Sequence, residues 1–321
     1  MPRASLIRPI AVTAFLLCLI VVVLGAYVRL SAAGLGCPDW PGCYGHATPI
    51  GAIAAADSAG GTIDGATVDA GKAWKEMVHR YAAATLGILI IVIAALAIQT
   101  RKLKIVSLTY ASVLVGLVLV QGMLGMLTVT ERLQPVIVTA HLLLGLTTLS
   151  ALWWMVLTLG RRQASAWRGA TAFLGSSLRL TRQLALLGLI ALAIQIALGG
   201  WTSSHYAAIG CPDFPKCQDT WLPSMQGSTG IAFAHRLGAL FAAVMLVMAS
   251  ARVLRSRSDP FARRTALAVL AALVLQLAIG TEMVRHAFPL WLATAHSAGA
   301  ALLLLTVVAL NRSLRPAWRG S

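Results

Sequence analysis

Eight long apolar stretches constrain what this chain can fold into more than any other feature of its sequence. Each is long enough to cross roughly 30 Å of hydrocarbon as a helix that rises about 1.5 Å per residue. The chain is 58% hydrophobic and only 11% charged, which lies outside the range of soluble domains. The sequence therefore predicts an all-α integral membrane protein. Its predicted spans are approximately 10–29, 77–98, 105–128, 137–159, 183–202, 231–250, 266–284 and 291–310.

The placement of basic residues predicts how these helices are oriented. Most of the 26 lysines and arginines lie at the two termini and in the loops after the second, fourth and sixth stretches. Cytoplasmic loops carry an excess of such residues, so both termini are expected in the cytoplasm. The net charge of +16 follows this topology pattern without any nucleic-acid recognition motif, so no nucleic acid is expected as a partner. We expect a multi-pass protein of the cell (inner) membrane, surrounded by the lipid bilayer.

The chain repeats itself at an offset of 174 residues in the first part of the repeat and of 155 or 156 residues in the rest, which predicts two similar halves. The heptapeptide from Cys37 to Cys43 has a counterpart 174 residues later, from Cys211 to Cys217, with Phe214 in place of Trp40 and Lys216 in place of Gly42. Tandem pseudo-symmetric four-helix bundles are therefore predicted at 1–160 and 183–321, joined by a cytoplasmic linker at 161–182. The other repeated pairs are Leu24-Gly25 with Leu198-Gly199, His79-Arg80 with His235-Arg236, Gln121-x3-Gly125 with Gln276-x3-Gly280, and Ala140-His141 with Ala295-His296.

Four histidines form two duplicated pairs at matched depths in the predicted helices. They are His79, His141, His235 and His296. A single buried histidine is commonly satisfied by a carbonyl, but duplication of a matched pair favours a function. Two imidazoles on neighbouring helices supply the axial ligands of a haem, with apolar helices as walls for the porphyrin. Zinc would need four ligands per site, and no cysteine lies at that depth.

One acidic residue distinguishes the two halves. Glu76 lies three residues before His79, so the two side chains share a helix face near a membrane boundary. At the position that corresponds to Glu76, the second half has Ala232. A carboxylate in such a place is costly and indicates a function. Elsewhere in the first outer loop, the Ala/Gly/Asp-rich run 51–71 is expected to be mobile or loosely structured.

Two pairs of cysteines fall in loops that are predicted to face the oxidising outer side. Disulfides Cys37–Cys43 and Cys211–Cys217 are expected there, because disulfides persist in oxidising compartments. Each would staple a tight proline-containing loop, while a redox-active dithiol is the alternative for the first pair. Two arginines at the ends of predicted helices also have two possible roles. Their side chains extend to the membrane–water interface, or they pair with haem propionates. These are Arg80 and Arg236.

Taken together, these motifs resemble the haem A synthase family, the membrane enzymes that convert haem O to haem A for cytochrome oxidases. The resemblance extends over all eight predicted helices, with its elements in the right order. It is carried by Gly34-Leu35-Gly36-Cys37-Pro38-Asp39-Trp40-Pro41-x-Cys43, Glu76-x-x-His79-Arg80, Thr139-Ala140-His141, His235-Arg236 and Ala295-His296.

The resemblance implies a division of labour between the halves. His235 and His296 would hold a haem b cofactor, and His79 and His141 the iron of the haem O substrate. Glu76 would act as acid, base or electrostatic stabiliser while a ring methyl is oxidised to a formyl group by successive hydroxylations. The implied partners are the prenyltransferase that forms haem O and a quinone or another electron acceptor.

Two other function classes fit parts of the pattern. A dihaem b-type cytochrome that only transfers electrons would explain the four histidines and the duplication, but not the unshared Glu76. A quinone-linked thiol oxidase would use the cysteine pairs, but it needs no buried histidines. The haem A synthase hypothesis accounts for more of these features than either alternative.

Overall fold

A computed structural model of the chain describes residues 2–63, 66–103, 105–163, 175–256 and 259–315. Within these ranges, eight helices are long and apolar enough to cross a membrane, which confirms the predicted number of spans. A short ninth helix and two short strands lie between the first two of them. The elements are α1 (Pro2–Leu30), α2 (Pro49–Ser58), β1 (Thr62–Ile63), β2 (Ala66–Thr67), α3 (Ala70–Gln99), α4 (Leu108–Thr130), α5 (Pro135–Gln163), α6 (Gly175–Ser204), α7 (Gly227–Arg255), α8 (Pro260–Arg285) and α9 (Leu290–Ser313).

Helix α3 begins seven residues before the predicted start of its apolar stretch. Asp69 caps it, because its side chain accepts a hydrogen bond from the backbone N–H of Lys72 at 3.0 Å. Hydropathy cannot detect this polar first turn, although the cap residue was visible in the sequence. Glu76 and His79 consequently both lie within one continuous helix, with at least one full turn before them.

The run 51–71 contains regular structure, so the expectation of a loose segment was wrong for part of it. Helix α2 begins with a proline at its first turn and continues through alanines, which have the highest helix propensity. Gly60 and Gly61 follow it with φ angles of +75° and +91°, which glycine adopts without strain. Strands β1 and β2 then pair antiparallel, with Thr62 opposite Thr67.

The chain divides into two compact units, Met1–Thr148 and Leu149–Ser321. In the first unit, α1 packs against α3, and α3 packs against both α2 and α4. In the second unit, α6 packs against α7, α7 against α8, α8 against α9, and α9 back against α6. The predicted linker 161–182 overlaps the end of α5 and the start of α6, and its residues 164–174 lie outside the described ranges. The predicted domain boundaries stay a prediction.

Candidate functional site

Each of the four candidate ligand histidines packs against a glycine of a neighbouring helix. A Cβ atom built on any of these glycines would lie only 2.8–3.4 Å from the Cε1 atom of the histidine ring. A Cβ atom at Gly25, Gly199 or Gly280 would require the neighbouring ring to shift, whereas at Gly125 the contact would have an ordinary van der Waals length. The glycines therefore leave room for the rings between closely packed helices. The pairs are Gly25 of α1 with His79 of α3, Gly125 of α4 with His141 of α5, Gly199 of α6 with His235 of α7, and Gly280 of α8 with His296 of α9.

These glycines were visible in the sequence, but no role was predicted for them. All four belong to the repeated pairs, at the same offsets as the cysteine loops or the histidines. Repetition alone indicates only that a position matters in both halves. The contact that explains the glycines joins helices far apart in sequence, so only the structure reveals it.

Glutamine side chains hold three of the four histidines. In each case the carboxamide nitrogen donates a hydrogen bond to the backbone carbonyl of the histidine at 3.0 Å. The same nitrogen lies 3.0–3.3 Å from a ring nitrogen of that histidine. Sequence reasoning assigned no role to these residues, although two of them were part of a repeat. The pairs are Gln121 with His141, Gln195 with His235, and Gln276 with His296.

His79 differs from the other three histidines. Within the described ranges its imidazole makes no side-chain hydrogen bond, and its Nδ1 atom is buried without a partner. Nδ1 of His141 is buried without a partner as well. A buried imidazole nitrogen that no protein group satisfies is a costly arrangement unless another group binds the ring.

The histidines of each unit also lie near one another. His79 and His141 are close enough to interact electrostatically, and the same is true of His235 and His296. Paired imidazoles, an unsatisfied ring nitrogen in the first pair and small residues behind every ring fit the axial ligation of a haem in each unit. The structure therefore brings the histidines of each predicted pair near one another, and their role as haem ligands stays a prediction.

Both predicted disulfides are present. The Cα atoms of Cys37 and Cys43 are 4.7 Å apart, and those of Cys211 and Cys217 are 4.8 Å apart. All four cysteines are buried, and each loop contains a cis peptide bond before its second proline. The first disulfide packs against Ala73 at the start of α3. The second disulfide packs against Ala232 of α7. Each loop therefore lies against a histidine-bearing helix of its own unit.

Two arginines fasten these loops to the histidine-bearing helices. Nη1 of Arg80 donates to the carbonyl of Gly42, and Nη1 of Arg236 donates at 2.7 Å to the carbonyl of Lys216, which is the matching position. Nη2 of Arg236 also donates to the carbonyl of Cys211 at 2.7 Å. Neither interpretation made from the sequence included this contact with loop carbonyls. Propionate contacts of the two arginines stay a prediction.

Glu76 ties the first loop to α3 in a way that the second half lacks. Its residue surface is only 4% exposed. One carboxylate oxygen lies 2.6 Å from Nη2 of Arg80, and the other accepts a hydrogen bond from the backbone N–H of Cys37 at 2.9 Å. Charge-assisted contacts of this kind fix the orientation of a buried carboxylate. Ala232 occupies the matching place in α7 and offers neither contact.

Tyr44 completes the polar surroundings of the first loop. Its backbone N–H donates to the side chain of Asp39 at 2.6 Å. Burial raises the pKa of the Tyr44 hydroxyl, and the negative charges of Asp39, Glu76 and Asp69 raise it further. The phenol therefore stays protonated at neutral pH and adds no negative charge beside Glu76.

Comparison with known proteins places this arrangement in a family. A family model described as a cytochrome oxidase assembly protein, COX15-CtaA, matches residues 8–308. The heme A synthase of Shewanella oneidensis is 37% identical to this chain, and the match covers 91% of the chain and 92% of the relative. The heme A synthases of Caulobacter vibrioides and Halalkalibacterium halodurans are each 26% identical. Those matches cover 99% and 90% of this chain, and 97% and 90% of the relatives, respectively.

Proposed function

Because the chain belongs to the COX15-CtaA family of cytochrome oxidase assembly proteins, we propose that its two histidine pairs divide haem A synthesis between a substrate and a cofactor. The chain is an oxidoreductase that converts haem O to haem A. His79 and His141 hold the iron of the haem O substrate. His235 and His296 hold a haem b cofactor, which supplies one-electron transfer when bound.

The contrast between Glu76 and Ala232 is the observation that carries this assignment. Oxidation of a ring methyl to a formyl group by successive hydroxylations adds an oxygen atom to that carbon, passes electrons to the acceptor and releases protons, and positive charge develops on the carbon. A buried carboxylate can accept a proton or stabilise that charge, whereas an alanine can do neither. The half that contains Glu76 is therefore the half in which the substrate reacts.

Arg80 and the Cys37 N–H give Glu76 a fixed position for this work. Glu76 lies three residues before His79 on α3, so it approaches the substrate from the side of that ligand. Its two oxygens are already held by the guanidinium and by the backbone amide. Because the carboxylate is held in place before the substrate binds, it loses little conformational freedom when binding occurs. It is then already directed at the place where positive charge develops.

The same proposal extends to the surroundings of the enzyme. Both termini lie in the cytoplasm, and the histidine sites and cysteine loops face the outer side, since basic residues concentrate in the alternate loops. Disulfides in both loops support an oxidising compartment there. The partners are the prenyltransferase that forms haem O and a quinone or another electron acceptor.

Pigment extraction from the purified protein tests the division of labour. Wild type should contain haem b together with haem O or haem A, identified by liquid chromatography and mass analysis. His235→Ala should lose haem b selectively, and the matched variant His79→Ala should lose haem O and haem A selectively. Haem b in both sites would instead indicate an electron-transferring cytochrome. Loss of the same haem in both variants would overturn the assignment of the halves.

A further inference from the structure

We propose that His79 is the axial ligand that releases the iron when haem O enters and haem A leaves, because it lacks the glutamine that holds each of the other three ligands. This inference rests on the proposed function, in which the first pair binds a substrate that must exchange and the second pair binds a cofactor that stays. It assigns different tasks to four histidines that the sequence repeat makes look equivalent.

The glutamines act as positioning residues for the histidines. Gln195 contacts both the backbone carbonyl and Nδ1 of His235, each at 3.0 Å. The bond to the carbonyl attaches the glutamine to the same residue as the ring. The glutamine Oε1, which is buried without a partner in the described part of the chain, can accept the N–H that an iron-bound imidazole carries, and that bond restricts rotation of the ring. Gln121 and Gln276 bind the backbone carbonyls of His141 and His296 in the same way. Towards the rings they differ, because Gln121 lies 3.3 Å from Nε2 of His141, whereas Gln276 lies 3.2 Å from Nδ1 and 3.3 Å from Nε2 of His296.

Helix α1 carries valine where α6 carries this glutamine. The offset of 174 residues that relates Gly25 to Gly199 also relates Val21 to Gln195. In both helices the residue lies four positions before the glycine that contacts the histidine ring, so it occupies the same face one turn away. Val21 has no polar side-chain group, and Nδ1 of His79 is buried without a hydrogen-bond partner within the described ranges.

The residues that follow each histidine also distinguish His79 from the other three histidines. Each glutamine lies against a glycine three or four residues after its histidine, where a Cβ atom would crowd the carboxamide. These glycines are Gly145, Gly238 and Gly299.

After His79 the corresponding positions are Ala82 and Ala83, with no glycine. A Cβ atom at Gly238 would collide with Oε1 of Gln195 and lie 2.8 Å from Cδ1 of Leu198. Ala82 holds the place that corresponds to Gly238, so α3 leaves no comparable space for a glutamine. At the positions that match Gln195 and Gly238, the first unit therefore has Val21 and Ala82.

The functional consequence follows from what each site must do. A cofactor pair serves best when both rings are fixed, and in the second unit both His235 and His296 are held. In the described part of the first unit, a glutamine holds His141 and none holds His79. His141 therefore keeps the substrate iron bound while the ring of His79 turns away. Removal of such an outer hydrogen bond from a ligand typically costs about 10–100-fold in metal affinity.

Exchanging the valine–alanine pair of the first half with the glutamine–glycine pair of the second half tests the proposal. The purified full-length protein, produced together with a haem O-forming enzyme, is mixed with excess apomyoglobin, and the pigments remaining on it are followed by chromatography. Haem O and haem A should leave wild type about tenfold faster than haem b. The double variant Val21→Gln/Ala82→Gly should slow their release about tenfold and leave the release of haem b unchanged. The reverse double variant Gln195→Val/Gly238→Ala should accelerate the release of haem b.

Two further measurements keep the outcome interpretable. Ala82→Gly alone creates the space without the hydrogen bond, so its release rates should match those of wild type. The largest g value in the low-temperature electron paramagnetic resonance spectrum reports ring orientation, and for the first site it should shift only in variants that include Val21→Gln. Unchanged release of haem O and haem A from the double variant, or slowing by Ala82→Gly alone, would overturn the inference. Absence of haem O and haem A from wild type would instead overturn the proposed function.

Discussion

The carboxylate of Glu76 lies 2.6 Å from the guanidinium of Arg80 one helical turn away, with the two side chains only 5% and 12% exposed. A buried pair of this kind is costly to break, because the remaining partner keeps its charge without compensation. The same guanidinium also binds carbonyl oxygens of the first disulfide loop. One arginine thus connects the carboxylate that we assign to the reaction with the loop above it.

Glu76→Gln should greatly lower haem A formation while haem O still binds. The amide keeps the size of the side chain and an oxygen that accepts from the Cys37 N–H, but it cannot carry a negative charge. We expect haem O to accumulate in membranes and haem A to fall at least tenfold, as for the loss of one acid–base or electrostatic group. Extracted haems from cells that express each variant provide the measurement.

A matched control separates this chemistry from folding. Glu76→Asp retains the charge on a shorter side chain and should keep part of the activity. Glu76→Gln should also leave the haem b content unchanged, since His235 and His296 lie in the other unit. Wild-type levels of haem A in Glu76→Gln would refute the role assigned to the carboxylate.

Arg80→Lys should loosen the first cysteine loop without removing the positive charge. Lysine cannot reproduce the planar fork through which Arg80 contacts Glu76 and the carbonyls of Asp39 and Gly42. The disulfide Cys37–Cys43 should then be reduced several-fold faster by dithiothreitol, as measured by thiol labelling and peptide mass analysis. The second disulfide, fastened by Arg236, serves as the internal control. Equal reduction rates in wild type and Arg80→Lys would show that the arginine does not secure the loop.

Replacement of the glycines behind the rings should remove individual haems. A Cβ at Gly199 would lie 3.0 Å from Cε1 of His235, and a Cβ at Gly25 would lie 2.8 Å from Cε1 of His79. Gly199→Ala should therefore lower haem b content, and Gly25→Ala should lower haem O and haem A content, with overpacking costs of about 1–3 kcal/mol. Pigment analysis of the purified variants gives the result directly.

The matched control comes from another glycine of a membrane helix. Gly122 in α4 has no heavy atom within 4 Å of a built Cβ, so Gly122→Ala should preserve both haems. Alanine should even favour the helix there by roughly 0.5–1 kcal/mol. Retention of full haem content in Gly25→Ala and Gly199→Ala would show that the rings do not depend on these contacts.

The sequence was sufficient to predict the residues whose type and spacing carry the signal. The apolar stretches predict the eight membrane-crossing helices, and duplication identifies His79, His141, His235 and His296 among seven histidines. Glu76 stands out because its matching position is an alanine. Each of these features can be read from residues that are near in sequence or that occupy matching positions of the repeat.

The supporting contacts could not be predicted in the same way. The hydrogen bonds of Gln195 and the loop contacts of Arg80 join positions about forty residues apart, and their geometry depends on how the helices pack. Val21 looks like one more apolar residue of a membrane helix until the contacts of Gln195 are known. Helix α2 was missed because alanine and glycine in a polar loop look alike by hydropathy, although their helix propensities differ by about 1 kcal/mol.

The two disulfides should differ in their effect on activity. Removing either one, by Cys37→Ser/Cys43→Ser or by Cys211→Ser/Cys217→Ser, should lower stability by about 2 kcal/mol, because each closes a short loop. The first pair should also lower haem A formation in part, since the Cys37 N–H holds Glu76. Thermal unfolding in detergent and haem analysis of membranes measure the two effects separately. Complete loss of haem A in the first variant, with normal stability and normal binding of haem O, would instead identify Cys37 and Cys43 as a redox-active dithiol.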